Sequence, residues 1–249
     1  MSLGKRLITT DAADDAYFNA VTYSGGLAGQ SISTVGFQPD LIIGKRRDNS
    51  DMWWCNDVAR SGKSLFFGAE QSEISFEYTT PAAQGFTVNG TGGVHNTGNL
   101  VAYCFKGGGS TVTNNHGSIQ TQVSANQSKG FSIVSYTGNS TAGATIGHGL
   151  GTAPALLISH CRPTTGYWNV GYAGISFSNY LSLNETDQAF ASGTPFSSTS
   201  PGTNTITLGT YAATNCSNPM IMYCFVSVPG VQKIGSYTGN GSTQSIYTT

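Results

Sequence analysis

The sequence predicts an all-β chain made of two tandem antiparallel β-sandwich domains, jelly-roll-like in type. Three observations carry that expectation. The phrase SYTGN stands at residues 135–139 and again at 236–240, with a looser TYSGG at 22–26, and so wide a spacing marks a repeated domain. Apolar residues come in short runs, rich in β-branched and aromatic side chains and closed by Gly, Asn, Asp, Ser or Pro. Charged residues make up only 9% of the 249-residue chain. Soluble proteins average about 25%, and here polarity comes instead from the turn formers Ser, Thr, Asn and Gly.

The elements follow in order when the copies are laid side by side. AVTYSGG (20–26) matches IVSYTGN (133–139), and GFQPDLIIGKRR (36–47) matches GTAPALLISHCR (151–162). DMWWCND (51–57) answers TGYWNVG (165–171), and KSLFFGA (63–69) answers NYLSLNE (179–185). GFTVNG (85–90) answers ITLGTY (206–211), and NLVAYCFKGGG (99–109) answers NPMIMYCFVSVPG (218–230). Each run is strand-sized, and no amphipathic helix of useful length is present. Within SYTGN, Val134 and Tyr136 should face one way and Ser135 and Thr137 the other, with Gly138 and Asn139 at the positive-φ positions of a tight turn. The organisation expected is a first sandwich with an N-terminal arm (1–109), an extended Gly/Ser/Thr/Asn linker (110–123) and a second sandwich (124–230). Residues 231–249 read either as the start of a third copy or as a strand completing an existing sheet.

Composition excludes several function classes. The formal charge is −1, and residues 1–109 hold 8 basic and 10 acidic side chains against 3 and 2 in 110–249. Neither half has the basic surplus that draws a protein to nucleic acid or an anionic membrane. No apolar run approaches the roughly 18 residues of a membrane span, and the first residues lack the apolar core of a signal peptide, so synthesis in a cytosol is expected. Five cysteines without a C-x-x-C suggest neither a zinc site nor a disulfide framework, and Cys104 and Cys224 match as core thiols.

No catalytic residue, metal site or cofactor is predicted. Copy two holds only Glu185 and Asp187 as acids, so no carboxylate pair is common to both copies. Glu73 and Glu77 are expected on a solvated strand face. His148 should hydrogen-bond a loop carbonyl, His160 beside Cys161 lacks a second ligand pair, and Asp48, Asn49, Asp51 and Asp57 read as a solvated loop before a calcium site. The candidates for an interface or a ligand are Trp53, Trp54, Trp168, Tyr167 and Tyr172, with the basic run Lys45, Arg46 and Arg47. Alternation along a strand prevents Trp53 and Trp54 from sharing one core, so one of them is free to meet a ligand or another subunit.

Several of these phrases resemble a repeated domain of virion structural proteins from tailed bacteriophages, notably phages of marine bacteria. The stretches that carry the resemblance are SYTGNSTAGATIGHGLGTAP (135–154), YLSLNETD (180–187), MYCF (222–225), GSYTGNGS (235–242) and the phrase GGGSTVTNNHGSI. Copy one departs from the pattern, with GFQP in place of HGLGTAP and a basic run KRRD of its own. The resemblance implies a laminin-G or concanavalin-like sandwich in a tail-fibre, appendage or capsid decoration protein located in the virion. It implies other virion proteins as partners and a homo-oligomer, a trimer by analogy. The alternative it leaves open is a carbohydrate-binding, lectin-like module that takes a host surface glycan.

Overall fold

The computed structural model of the chain describes residues 16–67, 69–90, 98–191 and 194–246. The N-terminal arm expected before Ala16 and the last three residues lie outside them. The described chain is all-β, with antiparallel sheets and one four-residue helix, α1 (Ala212–Asn215). No helix among these residues is long and apolar enough to cross a membrane.

The first half builds a five-stranded sheet from β1 (Phe18–Gly25), β3 (Leu41–Arg46), β4 (Trp54–Asp57), β5 (Leu65–Phe66) and β8 (Gly98–Phe105), in the order β1-β8-β3-β4-β5. Over one face lies a small sheet of β2 (Ser31–Ile32), β6 (Thr79–Ala82) and β7 (Gly85–Val88), ordered β2-β7-β6. The second half builds a seven-stranded sheet from β9 (Val112–Asn114), β10 (Thr121–Asn126), β11 (Phe131–Thr137), β13 (Leu156–Cys161), β14 (Asn169–Tyr172), β15 (Leu181–Ser182) and β17 (Pro219–Phe225). Its order is β15-β14-β13-β17-β11-β10-β9, and β12 (Thr145–Gly147) pairs with β16 (Thr205–Thr207) in a sheet of two. The series β1-β8-β3-β4-β5 and β11-β17-β13-β14-β15 therefore repeat one strand order.

Strand alternation distributes the apolar side chains over three cores. In β8, Leu100, Ala102 and Cys104 point into the first half's own core with Ile42, Trp54, Phe66 and Phe86. In β17, Met220, Met222 and Cys224 do the same in the second half, with Val134, Tyr136 and Phe196. The opposite faces of the two large sheets meet each other: Leu41, Cys55, Leu65 and Phe67 of the first pack on Phe131, Ile133, Trp168, Ile221 and Tyr223 of the second. This double burial is why MIMYCF reads as a continuous apolar run, the mark of a strand covered on both faces.

Register corrects the pairing of the two copies. Gly44 faces Trp54 across β3 and β4, and the backbone bonds Phe67 N to Trp53 O (3.0 Å) and Leu183 N to Trp168 O (2.8 Å) occupy equivalent places. Trp53 is thus the counterpart of Trp168, and Trp54 the counterpart of Asn169, one residue out of step with the sequence match. Glycine makes room beneath the inner rings. A Cβ on Gly44 would lie 2.0 Å from the Trp54 ring, and one on Gly171 2.3 Å from Phe196.

Four further expectations change. The segment 110–123 is not a free linker, because it carries β9 and the first residues of β10 within the seven-stranded sheet. Its glycines serve close packing: a Cβ on Gly108 would lie 2.5 Å from the Ala125 carbonyl, while Gly108 N donates to Ser124 Oγ and Gly109 N to Asp40 Oδ2. At SYTGN, Val134 and Tyr136 are buried and Thr137 is exposed, as alternation requires. The positive φ, however, belongs to Ser140 (55°), and Gly138 is small because a Cβ there would meet Cys216 O at 2.0 Å. The second phrase, at 236–240, forms no strand among the described residues, and Tyr237 is 71% exposed, so no completing strand is seen there. Finally, Cys161 and Cys216 form a disulfide, Cα to Cα 6.4 Å, where no disulfide was expected.

Candidate functional site

Two features sit between the large sheets, a closed ionic cluster on one side and an open apolar cleft on the other. The cluster starts where β4 ends. Asp57 caps the 3-10 turn Val58–Arg60, its Oδ1 accepting from Ala59 N at 3.0 Å. The turn brings Arg60 back onto Asp57 Oδ2, which accepts from Arg60 Nε at 2.8 Å and from the Tyr223 hydroxyl of β17 at 2.6 Å. Arg60 also donates to the Tyr223 oxygen at 3.2 Å and to Glu73 Oε1 at 3.3 Å. Glu73 in turn accepts two bonds from the fork of Arg162, at 2.8 and 2.9 Å, and an ion pair from Lys63 at 3.1 Å. Tyr223 and Arg162 belong to the second half, so the cluster bridges the two sheets.

Burial sets the electrostatics. The side chains of Asp57 and Arg60 are wholly enclosed. Burial opposes the charge on Arg60, but the charges of Asp57 and its other neighbours outweigh it and hold the guanidinium protonated. Burial first, then the Asp57 carboxylate, pushes the Tyr223 phenol well above its usual range, and burial pushes the Cys55 thiol up to about 11. For Glu73 the burial that would raise its carboxyl is outweighed by the hydrogen bonds and charges of Arg162 and Arg60, leaving it below the usual range. Glu73, expected on a solvated face, is therefore the pivot of the network. Asp57, Arg60 and Tyr223 are closed to solvent, and only Lys63 at the rim is exposed.

The cleft lies beyond Tyr223. It has a volume of about 600 Å³ and walls of Ile43, Trp53, Tyr103 and Phe105 from the first half and Ile158, Leu183 and Phe225 from the second. Trp53 stacks on Tyr103 with ring centroids 5.9 Å apart and planes 25° off parallel. The equivalent pair, Trp168 and Tyr223, lies 6.2 Å apart at 12°. That second pair is sealed: Phe67 stacks on Trp168 at 4.3 Å, His160 at 4.7 Å, and Trp168 Nε1 donates to Phe66 O at 2.8 Å.

The predicted site residues are scattered. Trp54 is fully buried in the first half's core and Trp53 lines the cleft, a division that follows from alternation. Trp168 is 0% exposed and offers no ring to a ligand, while Tyr167 is 42% exposed and Tyr172 half-buried at the end of β14. Lys45 donates to Asn49 O at 2.9 Å, Arg46 pairs with Asp48 at 2.7 Å and lies 3.6 Å from Asp51, and Arg47 is exposed. His148 meets the Gly202 carbonyl at 3.2 Å, the loop bond expected of it. Asp57 is remote from the 48–51 loop in role, and no His/Cys/Asp/Glu group among the described residues could hold a metal ion.

Sequence reasoning missed Arg60, Arg162 and the loop 183–186, and placed Glu73 in solvent. The only available signal was the matched Tyr103 and Tyr223 of the two YCF phrases. No curated protein and no solved structure matches the chain. A family described as a domain of unknown function, DUF7483, matches residues 13–249, and the chain belongs to that family.

Proposed function

We propose that the chain is a non-enzymatic structural component of a tailed-bacteriophage virion, a tail-fibre, appendage or capsid decoration protein, acting through protein–protein packing. It is read as two tandem sandwiches of one ancestral unit. The observation that carries the reading is that each large sheet is apolar on both faces. One face covers its own small sheet and the other meets a second copy of the same sheet. A unit built to pack on its own kind suits a repetitive particle and a homo-oligomer. The buried acids Asp57 and Glu73 support the non-enzymatic part, since both are spent on Arg60, Arg162 and Tyr223. Arg47, exposed in the run that copy two lacks, is the first choice for docking to the rest of the particle.

Immunogold labelling of purified virions with an antibody to the chain tests the reading. Label at one discrete part of the particle is expected; unlabelled virions beside a labelled free pool would overturn it. The lectin-like alternative rests on Tyr167, the exposed ring among the predicted aromatics of copy two. A glycan array decides it: saturable sugar binding that Tyr167→Ala removes would replace particle packing with host-glycan recognition.

A further inference from the structure

The two halves treat the same position differently. Phe67 and Leu183 hold equivalent places, each bonded through its backbone N to the carbonyl of a matching tryptophan. On one side the Phe67 ring closes over Trp168 and Tyr223, and the Tyr223 hydroxyl is consumed by Asp57 and Arg60. On the other side stands Leu183, 46% exposed and without a ring, and the stacked Trp53–Tyr103 pair faces the open cleft. Among the described residues the Tyr103 hydroxyl has no hydrogen-bond partner. The cleft therefore opens on the Trp53–Tyr103 pair at the place where Phe67 covers the equivalent pair.

Its lip is acidic. Glu185 lines the cleft two residues past Leu183. Its carboxyl is raised above the usual range by lost hydration first, then by a hydrogen bond with Glu70 and by the charges of Glu70 and Asp187. No basic side chain pairs with any of the three among the described residues. A volume of about 600 Å³ falls in the range of small-molecule sites, about 300–1,000 Å³. Aromatic walls with an acidic lip favour a cation over a neutral or anionic ligand of equal shape.

We infer that this cleft binds a small aromatic cation, its flat ring stacked on Trp53 and Tyr103 in the manner of Phe67 on Trp168, and its positive charge directed to Glu185 and Glu70. The site is independent of where the chain resides, so its test is separate from the virion experiment. Isothermal titration of the full chain at low salt would compare three probes of one shape: naphthalen-2-ylmethylammonium, naphthalen-2-ylmethanol and 2-naphthoate. The cation should bind saturably at one site, about tenfold tighter than the alcohol, with no measurable binding of the carboxylate. The double variant Glu70→Gln/Glu185→Gln should bring cation and alcohol to equal affinity.

Leu183→Phe, which copies the closed side, should abolish binding without lowering the melting temperature. Should that variant misfold, Tyr103→Ala must weaken the cation at least about fivefold. The inference is overturned by a folded chain that fails to bind the cation, by binding that survives Leu183→Phe or Tyr103→Ala, or by equal affinity for 2-naphthoate. Failure of all three probes with self-association that Leu183→Phe breaks would assign the cleft to a second copy instead.

Discussion

Arg60 shows how much one side chain can decide. It is fully enclosed and is the partner of Asp57, Tyr223 and Glu73 at once. Arg60→Met leaves the Asp57 carboxylate buried without its counter-charge, and a loss of about 3–5 kcal/mol is expected in urea unfolding. Adding Asp57→Asn to it should restore part of that loss, because the orphaned charge is then gone. The same cluster sets the acid limb of stability. Glu73 has a depressed carboxyl in the folded chain, so its contribution is complete above about pH 4.5, its unperturbed value, and is lost as pH falls through the lower folded value. His148 and His160 are also depressed, by burial, so acidification below about pH 6.5 already favours the unfolded chain, which binds more protons. Stability measured from pH 7 downward should fall in two stages, and Glu73→Gln should shrink the lower one while slightly enlarging the upper, because the Glu73 charge favours protonated His160 in the folded chain. Neither Arg60 nor Glu73 was legible as a buried ion from sequence, since their charge places them in solvent and only the folded cluster, Asp57 beside Arg60 and Arg162 of the other half beside Glu73, offsets their desolvation.

Strands were the readable level. Leu41–Arg46, Trp54–Asp57 and Pro219–Phe225 fall within the stretches GFQPDLIIGKRR, DMWWCND and NPMIMYCFVSVPG because a period of two and β-branched or aromatic content are local properties. Pairing is not local, and the elements misread are those whose partners decide them. The Gly-rich stretch before residue 123 has linker composition, yet β9 gains its place by bonding β10, and Gly108 is needed for approach to Ala125. The disulfide has the same origin. Cys161 ends β13 and Cys216 follows α1, at a sequence separation of 55 that no spacing rule reveals. Alkylation of the denatured, unreduced chain should label three cysteines, Cys55, Cys104 and Cys224, rising to five after reduction. Cys161→Ser/Cys216→Ser should lower stability by up to about 4 kcal/mol, the loop-closure value for a ring of that size. Labelling of all five without reductant would remove the cross-link from the structure.

At the scale of the whole molecule the two halves share a core, Leu41, Leu65 and Phe67 against Ile133, Trp168 and Ile221. Calorimetry of the full chain should therefore give one cooperative transition with matching calorimetric and van't Hoff enthalpies. Ile133→Glu, which buries a charge in that shared layer, should split it into two; two transitions in the unaltered chain would mean that the halves unfold independently. By itself the sequence determined the all-β class, the repeated order of strand segments and the scarcity of charge, because strand period, turn chemistry and composition are written residue by residue. Only the tertiary structure decided that the large sheets close on each other, that Trp168 is sealed while its counterpart Trp53 opens on a cleft, and that Glu73 and Arg60 lie inside. Those outcomes depend on which faces meet across the fold, and a face is assigned by packing between distant residues that neighbouring letters do not encode.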